Sequence, residues 1–238
     1  LMPIAFDWVD AFTAHPFGGN GCAVFHDAAH LPDDVCTALV RETSLTECTF
    51  LGPSEVADVK VRYFLASQEI PFAGHPTVAT VASLVDRGIV SRGSVTLETG
   101  AGVLPVEIDG TGGGAPLITM TQNAPRFGRE MPAELVAAVG GLAPDDILGQ
   151  PQVVSTGLPF VIVALETRET LDRLVLDPAA LERFRAETGE ADSPFIEPFW
   201  VIGEGATEAG DTYARLLLPP PSPPEDPFTG SATGAMAA

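Results

Sequence analysis

The sequence predicts an α+β chain built as two pseudo-symmetric halves, and three observations carry that prediction. First, "PFTGSATGAMAA" (227–238) repeats "PFAGHPTVATVA" (71–82), with identities at Pro71/Pro227, Phe72/Phe228, Gly74/Gly230, Thr77/Thr233, Ala79/Ala235 and Ala82/Ala238. Six of twelve positions agree at an offset of 156 residues, where ordinary residue usage gives about one or two. Second, "FTAHPFGGNGCAVF" and "STGLPFVIVAL" share Thr-x-x-Pro-Phe, which aligns Thr13 with Thr156, Pro16 with Pro159 and Phe17 with Phe160 at an offset of 143. Third, each half runs strand, helix, strands and then a glycine-containing helix start.

In chain order, "IAFDWVDAFT" and "CAVFHD" read as strands around a loop of turn residues, "AHPFGGNG". "DDVCTALVRET" places Val35, Leu39 and Val40 near helical spacing behind an acidic start. "ECTFLGP" and "VKVRYFLA" are the next strands, the latter turning Lys60, the sole lysine, to solvent. "GHPTVATVASLVDRGI" fits a helix that tolerates Pro76 in its first turn and ends at Gly88. "SVTLETGAGVLPVEIDG" reads as a hairpin. The unpatterned "DGTGGGAP" (109–116) is the candidate boundary, dividing the chain into 1–114 and 115–238. Beyond it come a strand, "LITMTQ", a helix, "MPAELVAAVG", and a strand pair within "QVVSTGLPFVIVAL". A helix, "DPAALERFRAETG", and two strands, "PFWVIGE" and "TYARLLLP", follow.

Composition narrows the function classes. The chain has 238 residues, 45% of them hydrophobic, and a net charge of −20. So acidic a surface argues against nucleic acid or an anionic membrane as partner, since both need clustered Lys and Arg. A small anionic substrate needs only local donors and remains open. No apolar run approaches the roughly 20 residues of a membrane span, and no signal peptide is visible at the start. Three cysteines, Cys22, Cys36 and Cys48, form no metal-ligand spacing, and an odd count fits a reducing cytoplasm. His26 and His30 form the one suggestive histidine pair, with Asp27 and Pro32 favouring a surface turn there over a metal site. No Walker or Rossmann fingerprint occurs, so no nucleotide cofactor is implied.

Each echoed segment reads as a strand-to-helix turn. Gly74 and Gly230 stand where the backbone can approach a ligand closely, and Ser231 adds a hydroxyl. The free N–H groups and dipole of a helix start suit a carboxylate, and capping is the competing structural use of such turns.

"VDAFTAHPFGGNGCAVF", "SLTECTFL", "VRYFLASQEIPFAGHPTVAT" and "EDPFTGSATGA" together resemble the motif series of the PhzF family of phenazine-biosynthesis isomerase-like proteins. The resemblance touches most of the chain in the right order. It implies the diaminopimelate epimerase fold: two α+β halves, each a mixed sheet or barrel wrapped round a central helix, with the active site in the cleft between them. Relatives of that fold that act as two-base racemases carry a cysteine directly before each echoed glycine. Here those positions are Ala73 and Thr229, which excludes a cysteine pair.

The resemblance implies Glu47 as the catalytic carboxylate, with burial raising its pKa towards neutrality so that one group takes and returns a proton. It further implies catalytic roles for His75 and Asp226, and substrate contacts at Gly74, Gly230, Ser231 and Asn20. Read on their residues alone, Glu47 is an exposed strand position alternating with inward Leu45 and Cys48, and His75 and Ser231 are helix-start residues of the kind that cap. "FLASQE" lacks the family's usual Thr-Pro, and Gly21 follows Asn20 where proline is common, so the cleft-lining loops differ. Family members continue several dozen residues past the "DPFTGSA"-type motif, which implies a second half that is incomplete at Ala238.

The expected activity is a cofactor-independent isomerase moving a proton between carbons of a small carboxylate-bearing metabolite, with a homodimer as the family's common assembly. Two rivals stand beside it. One is a racemase or epimerase with non-cysteine bases, and the other a non-catalytic binder of small acids.

Overall fold

The computed structural model describes residues 3–91, 93–110, 116–188, 196–208 and 210–238. The chain forms two compact units, Leu1–Thr121 with Pro220–Pro223 and Gln122–Pro219 with Pro224–Ala238. Residues 111–115 of the expected boundary lie outside the described residues.

In the first unit the elements run β1 (Phe6–Ala11), β2 (Asn20–Phe25), α1 (Asp33–Thr43), β3 (Glu47–Gly52), β4 (Val59–Leu65), β5 (Glu69–Ile70), α2 (Gly74–Asp86), β6 (Gly93–Thr99), β7 (Gly102–Asp109) and β8 (Leu117–Met120). The sheet order is β1-β2-β3-β4-β6-β7-β8, with the short β5 also on β4. β8 pairs with β7 and so belongs to this first sheet, although the sequence reading set its strand past the boundary.

α2 touches β1 at one end of that order and β8 at the other, as well as β2 and β3 between them. A sheet whose two ends reach one helix has curved around it. The sequence allows this because α2 carries Thr77, Ala79, Thr80, Ser83 and Leu84 buried around its circumference, mostly small side chains that let strands approach. Several of these are weak helix formers, so burial rather than propensity holds the helix. α1 covers the opposite face of the sheet. Its Cys36 and Val40 pack with Ala23, Phe25, Cys48, Phe50 and Phe64, and Asp33 and Asp34 sit favourably at its positive end.

The second unit comprises β9 (Arg126–Glu130), α3 (Ala133–Val139), β10 (Ile147–Ser155), β11 (Pro159–Leu165), α4 (Arg168–Asp172), α5 (Pro178–Thr188), β12 (Pro198–Ile202), β13 (Tyr213–Leu217), β14 (Glu225–Asp226) and α6 (Gly230–Met236). Its sheet order is β14-β13-β12-β11-β10-β9. β12 lies inside that sheet with helices on both faces, which explains why all five residues of "PFWVI" are buried. Phe199 faces α6 with Phe160, Leu216 and Ala232. Trp200 and Ile202 face the other way into a core with Val136, Leu171 and Phe184.

The two units share one topology. β1-β2-β3-β4-β5 pair antiparallel, parallel, antiparallel, antiparallel, and β10-β11-β12-β13-β14 pair in the same sequence. A two-residue strand then leads into a helix in each unit, α2 and α6. The Thr-x-x-Pro-Phe echo spans the β1–β2 and β10–β11 connections, so both repeats fall on equivalent elements. Among the described residues no helix is long and apolar enough to cross a membrane.

Candidate active site

In the first unit three strands and one helix bring Asn20, Glu47 and His75 together. Gly19 turns the chain into β2 with φ +69, and a Cβ there would lie 2.0 Å from the Ala11 carbonyl oxygen, so only glycine fits. That turn sets Asn20 opposite Ala11 at the first position of β2. Glu47 opens β3, which pairs with β4 through Glu47 and Leu65. β5 delivers the chain to Ala73, and His75 is the second residue of α2.

The three side chains meet at one atom. His75 Nδ1 lies 3.1 Å from Glu47 Oε2 and 3.1 Å from Asn20 Nδ2. His75 is 3% exposed and the Glu47 side chain 15%. Burial pushes the imidazole down to about 3, against a backbone hydrogen bond with Gly21 that acts the other way. His75 is therefore a neutral ring near pH 7, with one nitrogen protonated. Facing a Glu47 carboxylate, Nδ1–H donates to Oε2. Facing a protonated Glu47, Nδ1 accepts, from the acid or from the Asn20 amide. The neutral ring can thus face either protonation state of Glu47, with its own proton on Nδ1 in the first case and on Nε2 in the second. His75 Nε2 is buried and has no hydrogen-bond partner among the described residues, so the ring offers a second polar atom at the start of α2 that the fold itself does not use.

The thiols near this cluster are inert. Cys22 and Cys48 are fully buried and free. Desolvation pushes Cys22 well above an ordinary thiol and Cys48 up to about 11, with the Glu47 charge adding to both. Neither forms a thiolate near neutral pH.

In the second unit Asp226, Gly230 and Ser231 gather around the start of α6. Asp226 ends β14, opposite Leu216. The Thr229 hydroxyl donates to Asp226 Oδ2 at 2.6 Å, so this N-cap threonine orients a carboxylate and makes no side-chain cap of its helix. Ser231 follows, 8% exposed. Gln122 Nε2 donates to the Gly230 carbonyl at 3.0 Å, and its Oε1 accepts from Thr156. A cavity of about 120 Å³ opens beside these groups, lined by Asp226, Thr229, Tyr213, Phe199, Phe228 and Met236.

Sequence reasoning missed three residues in this unit. Thr229 was read only as the absence of a cysteine, and Gln122 stood at a strand end with no motif to mark it. Glu197 precedes the apolar run of β12, which is the one local sign of its burial. It is 9% exposed, accepts a hydrogen bond from Arg185 at 2.8 Å, and is pushed up to about 7 by burial, with the Asp226 charge adding to the rise.

The expected turn forms at His26 and Asp27, directly after β2, and His30 is exposed. The His26 side chain is tied back across the unit, its Nε2 lying 3.0 Å from Asp7 Oδ2 and 3.0 Å from Ser83 Oγ. Asp7 also accepts two hydrogen bonds from Arg87, so His26 belongs to a strap between β1 and α2. Lys60 is turned to solvent as expected, its side chain 43% exposed, and pairs there with Glu98 at 3.0 Å. Among the described residues no group of three or more His, Cys, Asp or Glu side chains is arranged to hold a metal ion.

Comparison with known proteins identifies the family and the fold. The sequence pattern of the PhzC-PhzF family, described as phenazine biosynthesis-like protein, matches residues 9–238. The uncharacterized isomerase YddE of Salmonella typhimurium is 36% identical over 97% of this chain and 76% of its own length. The trans-2,3-dihydro-3-hydroxyanthranilate isomerase of Pseudomonas aeruginosa is 31% identical over 96% of this chain and 77% of its own. A crystal structure of the Bacillus anthracis phenazine biosynthesis protein of the PhzF family superposes with a TM-score of 0.82 at 30% identity, covering 99% of this chain and 79% of that one. The chain belongs to the PhzC-PhzF family of phenazine biosynthesis-like proteins.

Proposed function

We propose that the protein is a cofactor-independent isomerase that moves a proton between two carbons of a small, carboxylate-bearing substrate, with Glu47 as the acid and base. The observation that carries this reading is the Glu47–His75–Asn20 cluster, in which a carboxylate 3.1 Å from a neutral imidazole can take up and give back a proton. Glu47 takes a proton from one substrate carbon, the electron pair shifts along the conjugated system, and the same carboxyl returns the proton at another carbon. No atom is gained or lost. His75 Nδ1 steadies Glu47 in both states, and the unused His75 Nε2 is left to the substrate.

The Gly74 turn receives the substrate carboxylate at the positive end of α2. Within the second unit, Asp226, oriented by Thr229, is suited to accept from an amine or hydroxyl, and Gly230 and Ser231 are donors of the kind that suit an acid group. The name of the Pseudomonas aeruginosa relative makes trans-2,3-dihydro-3-hydroxyanthranilate the first substrate to assay.

The test is turnover of that compound in D2O. Wild-type protein should deliver solvent deuterium to the carbon that gains hydrogen. Glu47→Gln should bind the compound with little change and lose about 10²- to 10⁴-fold in kcat. Unchanged turnover in Glu47→Gln would overturn the assignment.

A further inference from the structure

We propose that Tyr63 is a positioning residue for this site: through Thr77 it aims and polarises the backbone N–H of Gly74. The proposal rests on the reading of the α2 start as a carboxylate site, and it adds a buried residue of β4 that the proposed mechanism does not use.

Tyr63 and Thr77 are fully buried. The Thr77 hydroxyl donates to the Ala73 carbonyl at 2.7 Å, and the Tyr63 hydroxyl lies 2.8 Å from Thr77 Oγ1. Each hydroxyl has one proton. Since the Thr77 proton is committed to Ala73, the Tyr63 proton must go to Thr77. The relay therefore runs in one direction, from Tyr63 through Thr77 to Ala73 C=O.

Ala73 C=O and Gly74 N–H belong to one planar trans peptide unit and point opposite ways. Clamping the carbonyl from inside the unit aims the N–H outward from the helix start. Successive hydrogen bonds also polarise one another in a low-dielectric interior, so the relay makes Gly74 N–H a stronger donor. A second, independent feature points to a ligand at this turn. His75 Nε2, one residue along, is buried and unpartnered.

The second unit supplies a natural contrast. Thr233 repeats the clamp, donating to Thr229 O at 2.9 Å. The position equivalent to Tyr63 is found by pairing. Tyr63 lies opposite Ile70, the 156-residue offset carries Ile70 to Asp226, and Asp226 lies opposite Leu216. A leucine has no hydroxyl, so the relay is confined to the Gly74 turn.

The experiment compares wild type with Tyr63→Phe, Thr77→Val and Thr77→Ser by backbone amide NMR of ¹⁵N-labelled protein, with benzoate as the carboxylate probe. Tyr63→Phe and Thr77→Val should shift the Gly74 amide resonance and leave that of Gly230 in place, while Thr77→Ser, which keeps the hydroxyl, should restore it. Benzoate should bind Tyr63→Phe about 3- to 10-fold more weakly than wild type, the loss expected for one net hydrogen bond. A Gly74 resonance unmoved in a folded Tyr63→Phe protein would overturn the relay. So would unchanged benzoate affinity in a variant whose Gly74 resonance had moved. If wild-type protein binds no benzoate, the carboxylate-site reading fails, and the ligand-free Gly74 shift still decides the relay.

Discussion

Thr77 and Thr233 make the same bond in their separate units: each hydroxyl donates to the carbonyl four residues back, at Ala73 and at Thr229. These are matched positions of the sequence echo, so an identity in the repeat has a physical use. A threonine hydroxyl that bonds backward in this way is normally neutral or unfavourable in a helix. Here it ties the residue before each glycine to the first helical turn.

The two threonines should differ in cost. Thr77→Val strands a fully buried Tyr63 hydroxyl, which costs about 1–3 kcal/mol. Thr233→Val removes a half-buried bond with no hydroxyl behind it, and should cost about 1 kcal/mol or less. Urea unfolding of both variants checks the order. Adding Tyr63→Phe to Thr77→Val should recover part of the loss, because it removes the stranded donor.

His75 makes stability fall in acid. Its folded value is about 3, below the ordinary 6.5, so the unfolded chain binds the proton first as pH drops. Stability is fully present above about 6.5 and is lost as pH falls through that range towards 3, by on the order of 4 kcal/mol in total. His75→Gln should flatten the unfolding free energy between pH 6.5 and 4. An equally steep profile in that variant would assign the acid sensitivity to other groups.

Glu197 has the opposite sign. Its folded value of about 7 lies above the ordinary 4.5, so the folded protein holds a proton that the unfolded chain has released. Its contribution is fully present below about 4.5 and is lost as pH rises through 7, on the order of 3 kcal/mol. Glu197→Gln should narrow the stability difference between pH 5 and pH 8. Thermal unfolding at the two pH values reads this directly, and no change in the difference would count against the buried acid.

Gly140 is a packing limit in the second unit. A Cβ there would lie 2.6 Å from Leu174 Cδ2 and 2.9 Å from the Trp200 ring. Leu174 and Trp200 are both in the core and have little room to yield. Gly140→Ala should destabilise by about 1–3 kcal/mol, with no effect on the Gly74 resonance in the first unit.

Much of the fold was legible because it rests on local pattern. α1 over Asp33–Thr43 matches its predicted span, since its acidic start and apolar spacing lie within eleven residues. The helix start at Gly74 and the hairpin of β6 and β7 were likewise signalled by neighbouring residues. β5 and β14 were legible only as the strand side of the two strand-to-helix turns, because two residues carry no period, and they exist only where β4 and β13 supply partners. α4, five residues long, escaped for the same reason.

The candidate site divides in the same way. The family, the doubled α+β architecture and the residue types at the two glycine turns are readable along the chain, because repeats and motifs are linear information. Only the tertiary structure decided that Glu47, Asn20 and His75, far apart in the chain, meet at one ring nitrogen, and that Thr229 holds Asp226. It alone set Tyr63 behind Thr77 and buried Glu197 beside Arg185. Contacts of this kind depend on strand register and on burial across the sheet, and a one-residue slip in pairing would turn the strand residues among them, Asn20, Glu47, Tyr63 and Asp226, to the other face.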